Sequence, residues 1–345
     1  MTGDGVRLTQ HYDVALLDLD GVVYLGAEPL PGVAVAVAGL GGMRLSYVTN
    51  NATRTPAQVW RQLEAMGCPG SADDVVTSCQ AAASMLRDLV PAGANVLVVG
   101  AAALFEAVTA AGFACVRTLA DAPAAVVQGL SLELTYAELT EAALAIRTGL
   151  PWVATNTDAT LPTARGLQPG NGSFVIALQT ATGRTPIAAG KPEPELFRTA
   201  VRTSGATRPL VVGDRLDTDI AGAHHAGLDS LLVFSGVSTP AHALAADPTL
   251  RPTYVARDIG GLADVHPLVG HEGAARTCGG WHAAAECTGA VLAGSGAVLA
   301  GSGAAIDALR ALLAVPVQPD SVRAGGPDAI KALQELGIPV LGDTV

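Results

Sequence analysis

Short, mostly apolar runs recur through the first 260 residues of this 345-residue chain, and helix-length segments separate them. Val14-Ala15-Leu16-Leu17, Leu45-Ser46-Tyr47-Val48-Thr49, Val96-Leu97-Val98-Val99, Ala124-Ala125-Val126-Val127, Leu210-Val211-Val212 and Leu231-Leu232-Val233-Phe234 are such runs. Each reads as a buried strand. Thr55 is a suitable N-cap, and Pro56 suits the first position of a helix that runs through Met66. Strand–helix alternation of this kind predicts an α/β protein with parallel, doubly wound sheets. In such folds the reactive groups sit in the turns at the carboxyl ends of the strands.

Those turns carry a consistent chemistry. Asp18-Leu19-Asp20-Gly21-Val22 follows the first strand. Two carboxylates this close repel each other, and desolvation adds to the cost, so a cation or a reacting phosphoryl group is needed to relieve it. Thr49-Asn50-Asn51 follows the second strand and offers a hydroxyl and amide donors suited to phosphate oxygens. Gly190-Lys191-Pro192 places a lysine just before a helix expected over Pro194–Arg202; there it is a point charge for a phosphoryl oxygen or a carboxylate. Asp214, Asp217 and Asp219 follow the Leu210–Val212 strand, an acidic group suited to a hard cation such as Mg²⁺.

The intervals between these segments also constrain the fold. Asp18 to Thr49 is 31 residues, room for one helix and one strand, whereas Thr49 to Lys191 is 142. A crossover within one sheet needs far less. About a hundred residues, roughly 75–185, therefore form an insert with its own strand–helix alternation.

Taken in order, D-x-D-G-V, T-N-N, G-K-P and G-D-x-x-x-T-D resemble the haloacid dehalogenase superfamily of phosphohydrolases. Ala154–Asp158, Pro162-Thr163, Gly166–Gly170 and Ala181–Arg184 are similar to its nitrophenyl, phosphoglycolate and glycerol-3-phosphate phosphatase branch. The resemblance covers roughly residues 11–262. It implies a Rossmann-like catalytic core over 1–74 and 186–266 and an α/β cap over 75–185; from about Pro267 the texture of the sequence changes, which marks 267–345 as a small appended domain. The resemblance also implies a Mg²⁺-dependent phosphatase of a small phosphorylated metabolite, glycerol 3-phosphate first and 2-phosphoglycolate next. Asp18 would be the nucleophile and Asp20 the acid and base. Asp18, the Asp20 backbone carbonyl and Asp214 would hold the metal, with Asp219 behind them. Thr49, Asn50, Asn51 and Lys191 would hold the phosphoryl oxygens. A phosphomutase or other phosphotransferase with the same nucleophile, and a non-catalytic binding protein on the same fold, are the alternatives.

Several residues keep two readings. Asn51 is a phosphate contact or a turn residue. Asp217 is a site residue or a helix N-cap. Asn156 and Asp158 shape the substrate pocket or brace a turn of the cap. His224-His225 reads as a surface pair, because neighbours on a helix do not converge on one point. His271, Cys278, His282 and Cys287 lack paired zinc-ligand spacing.

Composition removes other classes. The net charge of −11 comes with no basic stripe, which argues against nucleic acid. Five cysteines with no C-x-x-C suit reduced thiols in the cytoplasm, and the N-terminus shows no signal-peptide pattern. Thr288–Ile306 is uncharged, but Gly and Ser interrupt it and large aliphatics are few, which disfavours a membrane span. Within it, Gly289–Ser295 (GAVLAGS) recurs unchanged as Gly296–Ser302 and reads as a duplication in a tolerant segment. Helices are expected at Ala305–Leu313 and near Asp328–Leu336. A homodimer through the cap or the tail is a further expectation of the resemblance.

Overall fold

The computed structural model describes residues 5–163, 165–247, 250–273, 275–286 and 296–341. It forms two compact units. One comprises Met1–Arg44, Arg208–His224 and Leu228–Val345, and the other Leu45–Thr207 and His225–Gly227.

In the first unit, strands Val14–Leu17, Pro209–Gly213, Asp229–Val233 and Tyr254–Ala256 lie side by side in that order, all parallel. The expected strands are present, with ends that coincide or shift by one or two residues. Leu16, Leu17, Val211, Val212, Leu231 and Leu232 are fully buried, each stabilising the fold by about 1.5–3 kcal/mol relative to exposure. Leu17 is in register with Val212, and the Asp18 N–H extends that pairing to the Val212 carbonyl at 2.9 Å. Two carboxylate-bearing turns thus leave adjacent strands at the same level. After the Pro209–Gly213 strand a π-helical turn over Leu216–Ile220 leads into the α-helix Ala221–Ala226.

The tail belongs to this unit. Strands Gly270–Glu272, Ala275–Cys278, Trp281–Glu286 and Gly296–Gly301 form an antiparallel run, and Val322–Ala324 adds a parallel edge. Helices Ala305–Leu313 and Pro327–Glu335 pack on it. The second GAVLAGS copy is therefore a structural strand between two others, not a tolerant segment; the first copy lies outside the described residues. Among the described residues no helix is long and apolar enough to cross a membrane. Trp281 is buried, and its indole N–H donates to the Ala304 carbonyl at 3.0 Å. It shares one hydrophobic cluster with Leu299, Leu309 and Leu312 of the tail and with Ile220, Leu232, Leu244 and Val255 of the catalytic sheet and its helices. Arg251 donates to the carbonyls of Leu313 and Val315 at 2.6 and 3.3 Å, which satisfies groups the helix end leaves open.

In the second unit, strands Arg44–Thr49 and Val75–Thr77 pair in parallel, Thr49 opposite Thr77. The intervening helix Pro56–Ala65 begins as the sequence predicts, with Thr55 and Gln58 forming a reciprocal capping box. A separate parallel sheet runs Ile187–Ala188, Trp152–Ala154, Ala125–Gln128, Asn95–Val99 and Ala114–Val116. Helices Tyr136–Arg147 and Asn171–Thr182 cover one face through Ala142, Ile146, Val175 and Leu178. The hairpin Thr160–Thr163/Gly166–Pro169 packs beside the helix Asn171–Thr182.

Candidate active site

Asp18, Asp214 and Asp219 converge in the first unit. One carboxylate oxygen from each lies within 4.8 Å of the other two. Asp214 and Asp219 are buried and Asp18 is half-buried. The register of the two strands explains the meeting, since Asp18 and Asp214 sit one and two residues beyond the Leu17–Val212 pair. Asp219 reaches the same place through the π-helical turn, and its Oδ2 accepts the Arg215 N–H at 3.1 Å. The sequence puts Asp219 behind the ligands; the structure brings its oxygen into their group.

Three glycines clear room for these carboxylates. A Cβ on Gly236 would lie 2.0 Å from Asp214 Oδ2, one on Gly21 would lie 2.4 Å from that same oxygen, and one on Gly213 would lie 2.2 Å from Asp219 Cβ. Gly21 also holds φ +86°, a conformation that favours glycine. The loop after the Asp229–Val233 strand completes the setting. Val237 N–H donates to Asp214 Oδ2 at 2.7 Å, Ser238 N–H to the Asp214 carbonyl at 3.0 Å, and the Ser235 hydroxyl to the Gly21 carbonyl at 2.7 Å. Sequence reading missed Ser235–Ser238; their signal is the Ser-Gly turn at the end of an apolar strand. Clustered carboxylate oxygens with small-residue clearance match a hard divalent cation that prefers oxygen and keeps water. The donor set fits Mg²⁺.

Asp20 stands at the exposed end of the same turn. Partial burial of its carboxyl raises its affinity for a proton, and a bond from the Gly26 N–H offsets this in part. The direction suits a group that must donate a proton. Asp217 is not a helix cap. It forms a bidentate pair with the Arg215 guanidinium at 3.0 and 2.7 Å on the surface, and that pairing lowers its pKa.

The residues expected to hold phosphoryl oxygens lie in the second unit. Thr49 is buried, and its hydroxyl oxygen accepts the Asn51 N–H at 3.1 Å, which leaves the hydroxyl proton to donate elsewhere. Asn51 Oδ1 accepts from Thr53 N–H, the Thr53 hydroxyl and Arg54 N–H at 2.9–3.1 Å, the bracing pattern of an Asx turn. Asn50 bonds to the backbone of Lys191 and to Asp158. Asn156 donates to the Asn50 carbonyl at 2.8 Å and accepts the Asp158 N–H at 3.2 Å, so its amide braces the turn. Lys191, followed by a cis peptide to Pro192, is buried, with its ammonium 5.9 Å from the Phe197 ring centre. His224 and His225 are exposed. His282 faces Glu272 at 3.4 Å; among the described residues the three aspartates are the one metal-type group, and Cys287 lies outside those residues.

The family model for haloacid dehalogenase-like hydrolases matches residues 15–114, and a HAD-hydrolase-like model matches residues 188–262. The D-glycerol 3-phosphate phosphatase of Mycobacterium tuberculosis is 49% identical over 255 residues, 74% of this chain and 72% of that protein. An acid sugar phosphatase of Staphylococcus saprophyticus is 36% identical over 72% of this chain and 96% of its own length. Among solved structures, the glycerol phosphate phosphatase of M. tuberculosis in complex with magnesium superposes with a TM-score of 0.85 at 40% identity, covering 97% of this chain and 99% of that one. The likeness therefore takes in the tail. A 4-nitrophenylphosphatase of Thermotoga maritima gives 0.68 at 30% identity, covering 75% of this chain and 98% of that one. The chain belongs to the haloacid dehalogenase-like hydrolase family.

Proposed function

We propose that the chain is a Mg²⁺-dependent phosphatase of small phosphorylated metabolites, with glycerol 3-phosphate the favoured substrate and 2-phosphoglycolate next. The carrying observation is the convergence of Asp18, Asp214 and Asp219 beside Asp20. The identity to a glycerol 3-phosphate phosphatase supports the substrate.

In this reading an Asp18 carboxylate oxygen attacks phosphorus while the ester P–O bond breaks, giving an aspartyl phosphate. Asp20 delivers its proton to the departing alkoxide. The Asp20 carboxylate then takes a proton from water as that water attacks phosphorus, and the bond to Asp18 breaks to release phosphate. Asp18, the Asp20 carbonyl and Asp214 would hold Mg²⁺, with Asp219 beside them; the ion offsets repulsion between the anionic nucleophile and the anionic phosphate. Thr49 and Lys191 keep the donor roles that the resemblance gives them.

The domain reading belongs to the same proposal: core 1–74 and 186–266, cap 75–185, appended domain 267–345. The separate sheets built from Asn95–Ala188 and Gly270–Ala324 support it. A cytoplasmic setting and a homodimer also belong to it. The former is supported by Cys68, Cys79, Cys115 and Cys278, which are free thiols.

The test is phosphate release with Mg²⁺ across a panel of phosphorylated metabolites, repeated with Asp18→Asn. The variant should lose on the order of 10⁴-fold in kcat with an unchanged fold. Retained turnover would refute the nucleophile. An isomerised sugar phosphate in place of free phosphate would refute hydrolysis.

A further inference from the structure

We infer that Asn50 is a positioning residue, which sets the backbone of Lys191 and does not hold the phosphoryl group through its carboxamide. This rests on the phosphatase reading and departs from the role the resemblance gives Asn50. The carboxamide grips Lys191 at two points. Its Oδ1 accepts the Lys191 N–H at 2.8 Å, and its Nδ2 donates to the Lys191 carbonyl at 3.1 Å. The remaining Nδ2 hydrogen points to the Asp158 carboxylate, 3.2 Å from Oδ2 and 3.4 Å from Oδ1. A carboxamide has two donor hydrogens, and both have acceptors here. The Lys191 N–H and the Asp158 carboxylate fix which way the amide faces, because a flipped amide would turn its NH₂ toward the N–H, donor against donor, and its oxygen toward the carboxylate, acceptor against acceptor.

Asn50 is itself anchored. Its carbonyl accepts from the Ser78 hydroxyl at 2.8 Å and from Asn156 Nδ2 at 2.8 Å. Asn156 is held in turn by Asn171, which donates to its carbonyl at 2.7 Å. The approach of the lysine segment depends on Gly190, where a Cβ would lie 2.6 Å from Asn50 Oδ1 and 2.7 Å from the Thr155 carbonyl. Lys191 is 4% exposed, so its ammonium position follows its backbone. A misplacement of about 1 Å at a reacting centre can cost on the order of 10²-fold in rate.

The experiment is a double-mutant cycle on kcat/KM for Mg²⁺-dependent release of phosphate from p-nitrophenyl phosphate, with Asn50→Ala, Lys191→Ala and the pair. Asn50→Ala is expected to lose about 10²-fold, mainly in kcat, and to cost less than about 3-fold once Lys191 is already alanine. An equal loss in both backgrounds overturns the inference and assigns Asn50 to the substrate. Asn50→Asp decides the matter if the alanine variant fails to fold. Its carboxyl can donate to the Lys191 carbonyl only when protonated, with Asp158 as the neighbouring anion. Its activity relative to wild type should therefore climb as pH falls, and a ratio that ignores pH overturns the inference. A wild-type protein that releases no phosphate with Mg²⁺ refutes the phosphatase reading, and this inference with it. An active wild type with additive losses refutes this inference alone.

Discussion

Gly236→Ala separates a metal site from a coincidence of carboxylates. The new Cβ would lie 2.0 Å from Asp214 Oδ2, 2.6 Å from Cγ and 2.9 Å from Cβ. The φ of Gly236 lies outside the left-handed region, so the backbone accepts alanine and the effect is steric. Real Cβ contacts do not fall below 3.0 Å, so the carboxylate or the loop must retreat by about 1 Å. Metal–ligand distances tolerate only about 0.2 Å, and retreat also breaks the 2.7 Å bond from Val237 N–H. The half-activating Mg²⁺ concentration should rise about 10- to 100-fold, the usual effect of losing support around a ligand. Loss of the buried carboxylate's donor should cost about 1–3 kcal/mol of stability. The assay is phosphate release titrated with Mg²⁺, paired with thermal unfolding. Gly205→Ala is the control. Gly205 has φ +61°, and an added methyl would meet no atom within 4 Å, so the change should cost about 1 kcal/mol and leave the Mg²⁺ titration alone. If Gly236→Ala shows the wild-type half-activating concentration, Asp214 does not hold the metal.

Three further outcomes concern the junction of the tail with the catalytic sheet. His266 is buried, with Nδ1 accepting from Arg310 at 3.1 Å, Nε2 donating to the Gly261 carbonyl at 2.7 Å and the Tyr254 ring at 5.4 Å. Burial first, and then Arg310, lowers its pKa, opposed by the Gly261 bond and by Asp264 and Asp307. The neutral ring is favoured in the fold, so its contribution is full above the ordinary imidazole value near 6.5. It is lost as pH falls below that toward the depressed value. His266→Gln should flatten the decline in melting temperature between about pH 7 and pH 5; an unchanged slope would refute this. Trp281→Ala should cost about 3–5 kcal/mol and lower a single melting transition, because its cluster joins both sheets. Two separate transitions would show that the tail unfolds alone. Truncation at Pro267 should likewise lower the melting temperature by exposing Ile220, Leu244 and Val255, while phosphate release at low temperature persists.

The α/β class was legible because each strand is a continuous apolar run ended by a turn, a local signal that needs no partner. Asp18, Thr49, Lys191 and Asp214 were legible for a related reason: each stands directly after such a run or at a helix start, where main-chain direction alone makes it available. The tail strands Gly270–Glu272 and Ala275–Cys278 were not. They are short and carry mixed polar residues, and they are strands because Ala275–Cys278 pairs with Trp281–Glu286 and Gly270–Glu272 pairs in turn with Ala275–Cys278. The GAVLAGS copy at Gly296–Ser302 looked tolerant because small residues carry little intrinsic β preference; the pairing of its Gly296–Gly301 strand on both sides overrides that.

Residue type and spacing by themselves determined the ordered set of acidic, hydroxyl and lysine groups and the room for an insert. Only the tertiary structure decided what each group touches. Asn50 and Asn51 are adjacent and chemically alike, yet one grips Lys191 from 141 residues away and the other braces its own turn. Asp217 and Asp219 are two residues apart, yet a π-helical turn sends one to Arg215 on the surface and buries the other with Asp18 and Asp214. Which of two neighbouring residues turns to a distant partner and which stays with its own turn is set by burial and by segments far along the chain, so no local pattern contains the choice.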